Sequence, residues 1–365
     1  LLLLCPTVSM AQQALPEDTV QDKRQPAHEL QTSQPATSAS HVNVPVLDLP
    51  ASVSGVASQQ IEERADYSVS DAVTRTVGLS ASGAPGNGGL SFSSRGFNGV
   101  NSIGVAEDGI TLGVAAGTIN YPGDSWGYER IEVLRGPASL MYGSGTMGAT
   151  LNAIRKQPSR ERSSEVLLGA GSNGKVYSGI GTTVALGETV SYRIDAYGER
   201  SDGERDLGKS SSGKLMSALR WTPRSDVTVD LSADISRQKP ERYFGSPVVD
   251  GQIVKELRHK NYNVLDAIDE FKDQRFRAKA QWQASDALTL RNEIYHFKSD
   301  RHWRNIEGYD YNPSTAQVDR YDYLEISHDV QQTGNRMGLD LKAGAHQIAM
   351  GWDISNAKFS NMSNS

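Results

Sequence analysis

Apolar and polar residues alternate regularly in the later part of the chain. In residues 226–237, apolar side chains occupy every second position from Val227 to Ile235, with polar side chains between them. The same period of two recurs in residues 189–200, 274–285 and 337–342. A period of two places the apolar set on one face of a β-strand and the polar set on the other. The pattern predicts about nine antiparallel strands between residues 164 and 365.

The connections between these strands alternate in length. Short turns are expected at residues 186–188, 223–226, 284–286 and 343–345, and long loops at residues 202–213, 239–273 and 300–320. Short turns on one side and long loops on the other are typical of an outer-membrane β-barrel, in which about ten residues cross the hydrocarbon layer. A soluble β-sandwich also alternates, but its loops have no reason to sort by side. We therefore predict a membrane β-barrel.

The polar face of the predicted strands carries Asp, Arg, Lys, Ser and Thr side chains. So many charges cannot all be satisfied in a packed interior, which predicts a wet lumen. Trp221 and Trp282 lie at strand ends beside short turns, where an aromatic girdle is expected, although two Trp residues can also fall there by chance.

The chain before residue 164 has two different textures. Residues 12–45 are rich in Gln, Pro, Ser, Thr and Ala, which predicts an extended, mobile segment. Residues 46–163 combine Gly, Ser and Asn with short β-branched runs and two helical patches, at 57–64 and 68–77, which predicts a compact α+β domain. A wide barrel filled by such a domain has about 22 strands. We therefore expect residues 164–365 to be the first part of a barrel and the chain to be part of a longer protein.

The first eleven residues resemble the end of a secretory signal peptide. Four Leu residues precede Ser9-Met10-Ala11, a small-x-small cleavage site, so we interpret residues 1–11 as a signal remnant and expect an exported protein. A lipoprotein anchor at Cys5 is disfavoured because the large Leu4 precedes it.

Composition excludes several classes of function. With 37 Lys and Arg against 43 Asp and Glu, the net charge is −6, so the basic footprint of a nucleic-acid-binding protein is missing. The single Cys excludes a disulfide framework and a Cys nucleophile downstream. His296 and His302 share a stretch without metal-ligand spacing, and both are expected in a solvated loop.

A glycine-rich motif raises one enzymatic reading. Residues 143–148 match G-x-G-x-x-G, the dinucleotide-binding pattern, with Glu165 as the possible acid. The reading requires a βαβ unit, but Pro158 would cut the helix short and the later strands have hairpin turns. No catalytic set stands out elsewhere, so we predict that the protein is not an enzyme.

Several motifs together resemble the plug signature of TonB-dependent outer-membrane receptors, and most closely their siderophore-receptor branch. They are SSRGF at 93–97, EDG at 107–109, ERIEVLRGPASLMYG at 129–143, Asn152, and KQP at 156–158. The resemblance covers roughly residues 46–165. It implies a four-stranded plug inside a 22-stranded barrel of the outer membrane, surrounded by lipid.

The resemblance also implies roles for particular residues. Arg95 and Arg135 match the two plug arginines that meet glutamates on the inner barrel wall, and those glutamates are expected beyond residue 365. Asn120, Tyr121 and Trp126 offer polar and aromatic surface suited to a ferric chelate, and packing is the alternative for each. No resident cofactor is implied, since iron enters only as part of the bound chelate.

Energy coupling in this family uses the TonB box, a short strand that adds to an edge of TonB, which acts with ExbB and ExbD. The candidates are Asp18-Thr19-Val20, which we prefer, and residues 41–44. The expected function is TonB-dependent import of a ferric siderophore. Import of cobalamin, haem or an oligosaccharide is the alternative within the class, and a surface β-adhesin is the alternative outside it.

Overall fold

The computed structural model describes residues 38, 48, 51–83, 90–98, 102–112, 123–136, 139–142 and 147–363. All of them belong to one compact unit, Gln31–Ser365. In this part of the chain, no helix is both long enough and apolar enough to cross a membrane.

Residues 51–155 form an α+β domain, which we call the N-terminal domain. Its elements are β1 (Ser52–Ala57), α1 (Ser58–Arg64), α2 (Val69–Thr74), β2 (Leu79–Gly83), β3 (Leu90–Ser94), β4 (Ile103–Glu107), β5 (Ile110–Thr111), β6 (Tyr128–Arg135), α3 (Ser139–Tyr142) and β7 (Ala149–Arg155). Both predicted helical patches are confirmed, as α1 and α2. Ser68 caps α2, because its Oγ accepts a hydrogen bond from the Asp71 amide at 3.0 Å.

The domain is organised around a sheet with the strand order β1-β6-β7-β4-β5, in which β4 is parallel to β7 and the other pairs are antiparallel. β2 and β3 form a separate hairpin. The described residues thus give five strands in this sheet where the resemblance implies four, because the two-residue β5 adds an edge. Val56, Val73, Ile131 and Leu151 lie in the apolar core between helices and sheet.

The chain continues into a nine-stranded antiparallel sheet, which confirms the predicted strand number and direction. Its strands, in spatial order, are β8 (Ser163–Ala170), β9 (Val176–Ala185), β10 (Val190–Ser201), β11 (Ser210–Arg224), β12 (Val227–Lys239), β15 (Ile268–Gln283), β16 (Leu288–Asn312), β17 (Gln317–Ala343) and β18 (His346–Ser363). The connection between β12 and β15 contains a small hairpin, β13 (Val248–Val249) with β14 (Gln252–Ile253), and a 3₁₀ helix, Lys255–Leu257.

The two faces of this sheet differ as the alternation predicts. In β15, Asp273, Arg275 and Arg277 are buried while Phe276, between them, is 47% exposed. The prediction of a wet lumen is wrong for the inner face around Asp234, Arg275 and Arg277, because these side chains are buried against the N-terminal domain. The pattern showed the polarity of the face but not which groups lie opposite it.

The prediction of a long loop at residues 300–320 is also wrong, because most of these residues belong to β-strands. β16 extends to Asn312 and β17 begins at Gln317, so the two strands are 25 and 27 residues long. Only about ten residues are needed to cross a bilayer. The outer part of this hairpin packs against the β12–β15 connection, where Arg320 Nε donates to the Tyr262 carbonyl at 2.6 Å. It lacks a clean apolar face, so period-two analysis did not detect it.

Residue 38 departs from the mobile segment predicted for residues 12–45. Ser38 is fully buried and hydrogen-bonded to the N-terminal domain. The segment is therefore attached to the domain at this described position.

Candidate functional site

The turn between β4 and β5 projects two acidic side chains toward the nine-stranded sheet. Glu107 ends β4, and Asp108 and Gly109 follow in the left-handed region with φ of 47° and 80°. Asp-Gly is the preferred pair for such a tight hairpin turn. The Gly109 N–H donates to Asn152 Oδ1 at 2.9 Å, which ties the turn to β7.

Glu107 is the centre of a buried cluster of charges. Arg275 Nη1 lies 2.5 Å from Glu107 Oε2, and Arg277 donates to Oε1. Arg155 Nη1 lies 3.7 Å from the same Oε1, and the Tyr128 hydroxyl donates to Oε2 at 2.8 Å. Arg275 and Arg277 belong to β15, so one carboxylate of the N-terminal domain binds two guanidinium groups of the sheet.

Two further carboxylates balance these cations. Arg277 Nη1 lies 3.0 Å from Asp108 Oδ2. Arg155 binds Asp234 of β12 in a bidentate pair, with Nη2 at 2.8 Å from Oδ1. Buried charges are tolerated when they are paired and hydrogen-bonded in this way. We call Glu107, Asp108, Arg155, Asp234, Arg275 and Arg277 the Glu107 cluster.

The electrostatics of the cluster keep Glu107 ionised. Burial alone would raise the pKa of the Glu107 carboxyl, but Arg277, Arg275 and Arg155 together hold this pKa well below its ordinary value. A carboxylate this strongly stabilised is unsuited to exchanging protons near neutral pH. The arrangement can therefore fasten two domains together, and it does not resemble an acid–base centre.

A second group of contacts between the N-terminal domain and the sheet lies farther along the sheet. Lys214 Nζ of β11 is 2.7 Å from Asp124 Oδ1, with both side chains buried, and it lies 4.4 Å from the centre of the Tyr128 ring. Lys156, the first residue after the N-terminal domain, pairs with Glu165 of β8. The N-terminal domain and the residue that follows it therefore contact β8, β11, β12 and β15 through charged pairs.

Trp126, a predicted ligand residue, belongs to this second contact. Its side chain is 6% exposed, and its Nε1 donates to the Ile180 carbonyl of β9 at 3.2 Å. A Cβ at Gly179 would lie 2.9 Å from the indole, so the absence of a side chain there makes room for the ring. The surroundings match the packing alternative, and ligand binding by Trp126 stays a prediction.

Several other sequence-predicted positions have no description in the structure. Asn120 and Tyr121 lie outside the described residues, and so do Asp18, Thr19 and Val20 and the second TonB-box candidate at 41–44. Their proposed roles stay predictions.

Arg95 and Arg135 lie close together at one end of the N-terminal domain. Arg95 follows β3 with a φ of 51°, and Arg135 ends β6 with its Nη2 donating to Ser54 Oγ at 2.9 Å. Burial lowers the pKa of Arg135, and the positive charge of Arg95 lowers it further. Within the described ranges, no carboxylate pairs with either guanidinium, and Arg135 Nε is buried without an acceptor. Pairing with wall glutamates stays a prediction.

Sequence analysis did not identify Arg155, Asp234, Arg275 and Arg277 as functional positions. The available signal was the charged inner face of β12 and β15, which includes Asp234, Arg275 and Arg277. This charged face did not indicate that the EDG motif at 107–109 would lie opposite it.

The structure also bears on the glycine motif and on the expected place of His296 and His302. β6 and β7, which flank the glycine motif at 143–148, are antiparallel neighbours, whereas a dinucleotide site requires parallel strands of a βαβ unit. His296 and His302 lie in β16 and not in a loop, with ring nitrogens 2.7 Å from Thr333 Oγ1 and Glu325 Oε1. Among the described side chains, no group of three or more His, Cys, Asp or Glu is placed to hold a metal ion.

Comparison with known proteins agrees with this architecture. Residues 45–150 match the family model described as TonB-dependent Receptor Plug Domain. The ferrioxamine receptor of Yersinia enterocolitica is 23% identical over 372 residues, covering 97% of this chain and 51% of that protein. The vitamin B12 transporter BtuB of Vibrio vulnificus is 31% identical over 180 residues, covering 48% of this chain and 30% of that protein.

Solved receptor structures share the fold. The FpvAI chain in complex with pyocin S2 has a TM-score of 0.82 at 21% identity, covering 91% of this chain and 46% of that chain. The siderophore receptor PiuA from Acinetobacter baumannii has a TM-score of 0.76 at 19% identity, covering 91% and 49%. The chain thus spans about half the length of the ferrioxamine receptor and of these solved receptors. The chain is thus similar to the TonB-dependent receptors of the bacterial outer membrane: residues 45–150 match their plug domain, and the nine-stranded sheet of the described part has the fold of their barrel wall.

Proposed function

We propose that the protein imports a ferric siderophore across the outer membrane, with the N-terminal domain acting as a plug that TonB displaces. Ferrioxamine and ferripyoverdine receptors among the relatives support this ligand class. Residues 1–11 are a signal remnant, 12–45 the TonB-reaching segment, 46–163 the plug and 164–365 barrel wall. Asp18, Thr19 and Val20 form the TonB box, and ExbB and ExbD act with TonB.

One observation carries the proposal. In the described residues, the plug covers part of the polar inner face of the barrel wall, on β11, β12 and β15, and the two are joined through ion pairs and hydrogen bonds such as Arg275–Glu107 and Lys214–Asp124. Such contacts can break and re-form without chemical change, so the plug can close the lumen at rest and leave it under force. A plug held only by apolar packing would expose apolar surface to water on release, which is unfavourable.

The ligand site is proposed on the outer side of the plug. Asn120 and Tyr121 supply hydrogen-bonding and aromatic groups, and Arg95 and Arg135 hold the plug against glutamates of the wall. Iron is the cargo of this reaction, bound through its chelate, and we propose no resident cofactor.

Growth on defined iron sources tests the function. A strain lacking its own siderophore receptors is given the intact protein and one ferric chelate at a time, beginning with ferrioxamine B. Growth that requires both the protein and a working TonB is the expected result. Import of vitamin B12 is the second candidate, because the BtuB match is 31% identical over 180 residues, whereas the match to the ferrioxamine receptor of Yersinia enterocolitica is 23% identical over 372 residues. Rescue of vitamin B12 uptake without rescue on any ferric chelate would replace the siderophore proposal.

A further inference from the structure

Ser38 occupies a polar pocket on the plug sheet. Its N–H donates to Glu132 Oε2 at 2.9 Å, its Oγ donates to the same oxygen, and Asn152 Nδ2 donates to Ser38 Oγ at 3.0 Å. Glu132 and Asn152 are cross-strand partners in β6 and β7, and all three side chains are buried. Residue 38 is therefore attached to the middle of the sheet by three hydrogen bonds.

Asn152 makes a second contact with its other amide atom. Its Oδ1 accepts the Gly109 N–H at 2.9 Å, in the turn that carries Glu107 and Asp108. Arg277 of the wall binds both of these carboxylates. A continuous series of contacts thus runs from Ser38 through Asn152 and the turn to the barrel wall.

We propose that Ser38 and Asn152 are positioning residues for plug release, through which displacement of the N-terminal segment loosens the Glu107 cluster. The inference rests on the proposed function, in that a periplasmic partner pulls on this segment. Nδ2 and Oδ1 of Asn152 are bonded to the same carbon, so a shift that follows Ser38 also moves the acceptor of Gly109. The Gly109 N–H then loses its partner, and a partly buried amide without an acceptor destabilises the turn.

Hydrogen exchange on the intact protein in detergent tests this coupling without TonB or a ligand. Ser38→Ala removes the hydrogen-bond partner of Asn152 Nδ2. It changes neither Asn152 Oδ1 nor the Gly109 N–H, so any effect on their hydrogen bond is indirect. We expect the Gly109 amide to exchange about five-fold faster, which corresponds to weakening one partly buried hydrogen bond. Ser80→Ala is the control, because the exposed Ser80 Oγ bonds to Ser93 Oγ, far from the Glu107 cluster in the chain, and it should leave Gly109 unchanged. Faster exchange in Asn152→Ala but not in Ser38→Ala would overturn the coupling.

Uptake by whole cells provides a readout that simple loss of stability would not produce. Ser38→Ala should bind radio-iron-loaded ferrioxamine B at the cell surface as the wild type does, with TonB-dependent uptake reduced several-fold. Ser38→Thr keeps the hydroxyl and should restore uptake. Unchanged uptake in Ser38→Ala would contradict the positioning role. If the wild type binds no ferric chelate, the proposed function fails, while the exchange experiment still decides the coupling.

Discussion

Arg275 and Glu107 meet across the boundary between barrel wall and plug, with Arg275 Nη1 2.5 Å from Glu107 Oε2 and both side chains buried. The two residues are 168 positions apart in the chain. Their contact belongs to a cluster in which the positive charges of the wall face the acidic turn of the plug. The strength of this attachment, and the ease of breaking it, determine how the plug is held.

Removing the charge of Glu107 should weaken the attachment. In Glu107→Gln, Arg155, Arg275 and Arg277 lose their shared carboxylate, and leaving buried charges uncompensated typically costs about 3 kcal/mol or more. We expect the intact variant to unfold at lower denaturant concentration and its plug to be cut sooner by added protease. Glu129→Gln, at an exposed position of the same domain, is the control. Equal stability of the two variants would contradict the role of the cluster.

The same carboxylate should make the attachment sensitive to acid. The pKa of Glu107 is lower in the folded protein than its ordinary value of 4.5. The stabilisation is therefore fully present above pH 4.5 and is lost as the pH falls from there toward the folded pKa. Thermal unfolding at pH 7 and pH 3 should show a larger decrease in Tm for the wild type than for Glu107→Gln. Parallel decreases would assign the acid sensitivity to other groups.

Arg135→Ala should loosen the plug in the intact protein. Arg135 is partly buried beside Arg95, and two neighbouring cations are stable there only if acidic partners approach them. Limited proteolysis should cut the plug of this variant faster than that of Arg64→Ala, which changes an exposed arginine of α1. An unchanged cleavage pattern would count against pairing with wall glutamates.

Deleting part of the N-terminal segment should separate binding from transport. Removal of residues 12–45 is expected to abolish uptake of ferrioxamine B while leaving its binding to the cell surface. A shorter deletion, of residues 12–30, removes Asp18, Thr19 and Val20 but keeps the second candidate at 41–44 and the Ser38 contact. Uptake by the shorter deletion would assign the TonB box to 41–44, and uptake by both would exclude coupling through this segment.

Trp126→Phe should affect stability and not affinity. The change keeps an aromatic ring but removes the donor to the Ile180 carbonyl, which is worth about 1 kcal/mol. We expect a slightly lower denaturation midpoint and unchanged affinity for ferrioxamine B. A several-fold loss of affinity at unchanged stability would instead support the ligand role of Trp126.

Much of the architecture could be predicted because its signals are local. The alternation in residues 226–237 corresponds to β12, since each side chain reports the polarity of the face on which it lies. The outer half of the β16–β17 hairpin was not predicted, because its apolar residues do not alternate regularly and it packs against a loop. The helical patches were local too, and the structure shows that Ser68 caps α2 by accepting a hydrogen bond from the Asp71 amide.

Residue patterns by themselves determined the nine strands, their two faces, the α+β domain before them and the resemblance to TonB-dependent receptors. Only the tertiary structure decided that Arg275 and Arg277 bind Glu107, that Trp126 packs against β9 and that Ser38 joins β6 and β7. Strand periodicity depends on neighbours two residues apart, whereas each of these contacts joins residues more than fifty positions apart in the chain. Such pairs leave no periodic trace in one sequence, because either partner alone looks like an ordinary charged, aromatic or hydroxyl side chain.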